Sequence, residues 1–142
     1  MTMTLSILLR IAGAMLLLLA VIHLPISRRL NWFEESLLLS PVNAAVFRVH
    51  ALFICLILVA MGLPCIADPW VFLERTRAGA WLAWTFAGFW TARLFVQWFV
   101  FPRTLWVGKR FETKVHFIFT MIWLFLTGLF FLCGARQAAW VQ

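Results

Sequence analysis

The sequence predicts an all-α, polytopic membrane protein, an antiparallel bundle of four transmembrane helices forming a single domain over residues 1–142. Three observations carry this expectation. The chain is 65% hydrophobic and only 12% charged, with a mean hydropathy of +0.99, so it has too few polar residues to cover a water-facing globule. Its apolar residues gather into four runs, each long enough to cross roughly 30 Å of hydrocarbon. The connections between the runs are short and hold most of the Lys and Arg, the residues that set topology in a bilayer.

The first run, 5–24, reads "LSILLRIAGAMLLLLAVIHL" and stops before Pro25. Its flank "VIHLPIS" lacks a small-x-small cleavage site, so the segment reads as a retained helix with Arg10 snorkelling to the nearer surface. The second run, 41–63, opens with Ser40 as a cap and Pro41 at the first helical position, and Pro64 is its stop. The third, 79–101, ends at Pro102, and the fourth, 113–133, ends at Gly134. Within the first connection, "LNWFEESLLL" predicts a short amphipathic piece in the interface, with Trp32 and Phe33 toward lipid.

The formal charge of +7 would suggest nucleic acid in a soluble protein. Here the basic residues flank apolar segments, where they meet anionic headgroups, so membrane lipids are the expected partners and nucleic acid is not. Arg28, Arg29 and Arg48 lie on the side of the first connection, and Arg103, Lys109, Arg110 and Lys114 on that of the third. Arg10, Arg75, Arg77 and Arg136 lie opposite. The positive-inside rule then places both termini outside.

This topology brings the polar residues of the runs to one membrane side: His23, Arg48, His50, Arg93, Gln97 and His116. Arg93 falls about 4–5 Å from the midplane at 1.5 Å per residue. Facing lipid there would cost on the order of 2–3 kcal/mol, which favours an inward orientation. Gln97 shares its face at i+4. Asn43, Phe47, His50 and Ile54 share a face of the second run, and His116, Thr120 and Thr127 one of the fourth. Gly79, Ala83 and Ala87, with Gly88 and Ala92 beside them, form stripes that let helices approach closely.

Several chemistries suit these residues. They serve as ordinary interface anchors, with Arg93 a structural buried charge satisfied by helix-end carbonyls, Gln97, Glu34 or Glu35. A haem b would take two axial histidines, His50 with His116 first and His23 with either as the variant, with arginine on a propionate. Three imidazoles from His23, His50 and His116 suit zinc, copper or iron, although no HxxxH or ExxH pair is present. A pocket for an anionic or quinone-like lipid would use Arg93 and Arg48 on the headgroup, with a histidine moving protons. Channel and transporter readings find neither a glycine-rich filter nor a broken-helix pair. Cys65 and Cys133 end their runs on the same side, either as a disulfide or as two thiols.

The runs "LSPVNAAVFRVHALF" (39–53), "FWTARLFVQWFVFP" (89–102) and "GKRFETKVHFIFTMIWLFLTGLFF" (108–131) resemble a group of small bacterial inner-membrane proteins with four predicted spans and no established activity. The resemblance implies a bacterial inner-membrane protein and covers the stretches holding His50, Arg93, Gln97 and His116. It supplies no reaction and no ligand. The expectation is a binding or accessory protein, beside a larger membrane-protein partner or as a homo-oligomer, with a polar pocket of Arg93, Gln97, His50, His116, Arg48 and His23. The alternatives are a b-type haem redox protein and, third, a lipid- or quinone-modifying enzyme.

Overall fold

The computed structural model describes residues 2–29 and 31–138, and among them all regular structure is helical, without a strand. The helices are α1 (Thr2–Arg29), α2 (Trp32–Ser36), α3 (Pro41–Ala67), α4 (Arg77–Phe95) and α5 (Arg110–Ala138). A π turn, Val96–Val100, extends α4, and 3-10 turns occupy Pro69–Phe72 and Arg103–Leu105. Among the described residues three helices are long and apolar enough to cross a membrane: α1, α3 and α5 between Arg110 and Gln137. They make the chain compatible with a multi-pass membrane protein. α4 falls outside this group, because Arg93 and its many small and indole side chains dilute its hydropathy.

Three of the four runs extend beyond their expected ends, while the third closes at Val100, just before Pro102 as expected. α1 continues through Pro25 to Arg29, and α3 through Pro64 to Ala67. A proline removes one ladder bond, whereas ending the helix there would free several carbonyls that the flanking apolar side chains cannot receive. The turns around the prolines add side-chain bonds: the Ser27 hydroxyl donates to the Leu24 carbonyl at 2.7 Å, and the Cys65 thiol to that of Met61 at 3.3 Å. The expected cap of α3 is present, with Pro41 at its start and Ser40 Oγ accepting from the Asn43 N–H at 3.4 Å.

α4 starts at Arg77 rather than residue 79, capped by Thr76 Oγ1, which accepts from the Gly79 N–H at 3.0 Å. α5 starts at Arg110 rather than residue 113. Gly108, at φ +83°, makes the left-handed turn before it, a conformation that favours glycine. The Thr113 hydroxyl then ties back to the carbonyls of Trp106 (2.7 Å) and Lys109 (2.8 Å). At its other end α5 passes Gly134, which is no cap. A Cβ there would lie 2.8 Å from the Trp84 ring, so glycine serves close packing.

The chain forms two compact units, Ile7–Pro69 and Met1–Ser6 with Trp70–Gln142. Within the first, α1 meets α3 at two glycines. A Cβ on Gly13 would stand 2.7 Å from the Gly62 carbonyl oxygen, and one on Gly62 3.0 Å from that of Gly13. Close by, Arg10 donates from Nη1 to the Ile66 carbonyl at 2.8 Å. Its charge thus sits on the carbonyl end of α3, a favourable place for a cation. Arg10→Ala is expected to cost about 1 kcal/mol and to lower the melting temperature by about 3–5 °C. Tryptophan emission of the detergent-purified protein during a thermal ramp checks this.

The second unit packs around aromatics. Phe72, Phe86 and Phe130 meet at centroid distances of 5.0–5.5 Å. The amide of Gln137 donates to the Phe72 carbonyl at 2.7 Å, tying the end of α5 to the first 3-10 turn. Of the two small-residue stripes, Gly79, Ala83 and Ala87 are buried, whereas Gly88 and Ala92 are exposed.

Candidate functional site

Arg93 sits half-buried near the end of α4, and its best hydrogen-bond partner comes from the same face. Nη1 donates to Gln97 Oε1 at 3.1 Å. Gln97 is itself buried, with 5% of its surface exposed, and belongs to the π turn. There the Phe101 N–H reaches the Val96 carbonyl at 3.3 Å. Such widened turns recur at functional sites. Pro102 follows and ends the helix.

From Gln97 the network crosses to α5, where its Nε2 lies 2.7 Å from His116 Nδ1. The donor directions follow from Arg93, which can only donate. It holds the Gln97 oxygen, so the amide nitrogen donates to His116. Nδ1 is then the unprotonated ring nitrogen, and Nε2 carries the hydrogen. The imidazole lies flat on Trp106, centroids 4.0 Å apart and planes at 11°. The order Arg93, Gln97, His116 is thus a chain of donors pointing one way.

The charge of Arg93 is met by π faces instead of carboxylates. Its guanidinium carbon stands 4.9 Å from the Trp123 ring and 5.6 Å from that of Phe101. Contacts of this kind contribute roughly 0.5–2 kcal/mol each. Among the described residues no carboxylate pairs with it. Trp123 stacks on Trp90 at 5.0 Å, and both indoles are buried with unpartnered N–H groups. The Thr127 hydroxyl, one turn beyond Trp123, is also buried and unpartnered. Beside the half-buried Arg93 cation the unit thus keeps buried indole N–H groups that no protein acceptor satisfies.

The six residues expected in one pocket fall into two groups. Arg93, Gln97 and His116 come together here. His23, Arg48 and His50 belong to the Ile7–Pro69 unit. There His23 Nδ1 lies 2.7 Å from the Leu19 carbonyl, and His50 Nδ1 2.8 Å from that of Val46, each within its own helix. In His23 and His50 Nδ1 donates to the carbonyl and Nε2 keeps its lone pair, whereas His116 presents Nε2–H as a donor. Trp32, expected toward lipid, instead packs edge-on against Phe47 at 5.7 Å and near His23 at 6.5 Å, while Phe33 is exposed. Among the described residues no group of three His, Cys, Asp or Glu side chains is placed to hold an ion. Cys55 and Cys133 are free thiols, and the Cys65 thiol is engaged with the Met61 carbonyl.

Trp90, Phe101, Trp106 and Trp123 join the site without having been singled out in the sequence. For Trp123 a signal existed, since His116, Thr120, Trp123 and Thr127 follow one helical face. Trp106 lies in a connection and carries no periodic signal. Compared with protein-family models, with curated proteins and with solved structures, the chain matches none.

Proposed function

We propose that this chain is a four-span bacterial inner-membrane protein that binds an anionic or quinone-like amphiphile at the Arg93 end of the Trp70–Gln142 unit. It acts as a binding or accessory protein, with membrane lipids as its immediate partners and a larger membrane protein or a second copy as its further one. The observation that carries the reading is the Arg93 guanidinium, a charge within an apolar helix that has Gln97 and two aromatic faces but no carboxylate. A phosphate, a carboxylate or a quinone carbonyl supplies the missing acceptor.

Two further considerations support the setting. α4 and its π turn rise roughly 35 Å at 1.5 Å per residue, enough for a fourth span. The distribution of Lys and Arg turns the Arg93 end toward the cytoplasm and both termini outward, and the cytoplasmic leaflet is where anionic lipid attracts basic groups.

The test is the composition of lipid and pigment retained through detergent purification. The wild type is expected to hold an acidic lipid or a quinone near one per chain. Arg93→Ala should lower retention about tenfold, the effect of about 1.4 kcal/mol, and Arg93→Lys should restore part of it. Equal retention in Arg93→Ala would overturn the reading. A Soret band that disappears in His50→Ala or His116→Ala would replace it with ligation of haem b.

A further inference from the structure

A separate set of charges lies in the Ile7–Pro69 unit and owes nothing to the Arg93 reading. A cleft of about 390 Å³ is lined by Arg28 from the last turn of α1, Asn31, Trp32 and Glu34 from the corner that follows, and Phe47 and Arg48 from α3. The corner is built to hold this shape. Asn31 takes the left-handed conformation at φ 50°, which asparagine tolerates better than most residues. Trp32 is pinned edge-on to Phe47. The Ser36 hydroxyl donates to the Phe33 carbonyl at 2.7 Å, and Ser36 is almost fully buried.

The charges along the cleft do not neutralise one another. Among the described residues, neither the guanidiniums of Arg28 and Arg48 nor the carboxylate of Glu34 has an ion-pair or hydrogen-bond partner. All three side chains are exposed and so open to a ligand from outside. Held apart on one cleft, they suit a ligand that carries both signs. Guanidinium groups bind phosphate through paired N–H donors. A carboxylate beside an indole face suits an ammonium, which gains from both. The volume matches a small polar group, at the lower end of ordinary ligand sites. Phe33, which also lines the cleft, and Leu38 after it are 64% and 87% exposed, an apolar surface at which acyl chains would begin.

The geometry points to a zwitterionic phosphoethanolamine headgroup as the ligand of this cleft, its phosphate between Arg28 and Arg48 and its ammonium against Glu34 and Trp32. The test uses the full chain in detergent with dioctanoyl phosphatidylethanolamine and dioctanoyl phosphatidylglycerol, binding being read by native mass spectrometry. The wild type is expected to prefer the ethanolamine lipid about tenfold, which is the effect of about 1.4 kcal/mol. Glu34→Gln should erase that preference while keeping phosphate binding, and Arg48→Ala should weaken both lipids. Lys109→Ala, outside the cleft, should change neither. Glycerophosphoethanolamine added as competitor separates the sources: competition at equal concentration assigns a soluble headgroup, and none assigns the bilayer lipid. The melting profile of Glu34→Gln confirms that it folds. A folded Glu34→Gln protein with an unchanged lipid ratio, or a wild type that prefers phosphatidylglycerol, overturns the assignment.

Discussion

Gly13→Val is expected to lower the melting temperature by on the order of 10 °C, or to leave the protein aggregated on extraction, a cost of about 3 kcal/mol. A Cβ at this position would lie 2.6 Å from Ile66 Cγ1, 2.7 Å from the Gly62 carbonyl oxygen and 2.9 Å from Cys65 Cβ. The isoleucine side chain can turn away. The carbonyl and the Cβ cannot, because they are part of α3 itself. The helices must separate, and dispersion contacts fall steeply with distance. In lipid this loss has no hydrophobic recompense, since helix association there rests on close packing. Separation would also draw Arg10 from the Ile66 carbonyl, so the two contacts fail together.

The same substitution type should be tolerated where the structure leaves room. A Cβ at Gly88 or Gly128 meets nothing within 4 Å, so alanine at either should leave the melting temperature unchanged or slightly raised, through better helix propensity. Thermal ramps on Gly13→Val, Gly88→Ala and Gly128→Ala form one comparison. If Gly13→Val melts with the wild type, α1 and α3 are not held at the distance described.

The existence of the long helices was legible because hydropathy over twenty residues is a strong signal. Their ends were not. Pro25, Pro64 and Gly134 are stops by rules drawn from helices in water, where a freed carbonyl finds solvent. In an apolar setting the ladder continues past them. The glycine contact was missed for a different reason. Gly13 and Gly62 stand singly in their runs, and only a pairing register brings them face to face. Within the site, Arg93 and Gln97 were readable as an i, i+4 pair on one helix. The step to His116 crosses between helices, and the stacking of Trp106 depends on a connection with no periodicity. The π turn left no mark beyond Pro102, which ends it.

Gln97→Glu separates a structural arginine from a binding one more sharply than removal of Arg93 does. The Gln97 oxygen already accepts from Arg93 at 3.1 Å, so a glutamate there forms an ion pair with little rearrangement. Its other oxygen meets His116, whose Nδ1 lies 2.7 Å from the present amide nitrogen and would then act as donor. The pair, half-buried at Arg93 and buried at residue 97, should add about 1 kcal/mol to stability once desolvation of the carboxylate is set against its charge-assisted bonds, raising the melting temperature by a few degrees. If Arg93 is a site for an anionic amphiphile, the same carboxylate occupies the guanidinium and repels the headgroup. Retention of the lipid should then fall about a hundredfold, equivalent to about 2.7 kcal/mol. A protein that is more stable yet empty is the expected result, read by the melting profile and by mass spectrometry of extracted lipid on one preparation. A gain in stability with lipid retention unchanged would instead assign Arg93 to the fold alone, with Gln97 and the two aromatic faces as its whole environment.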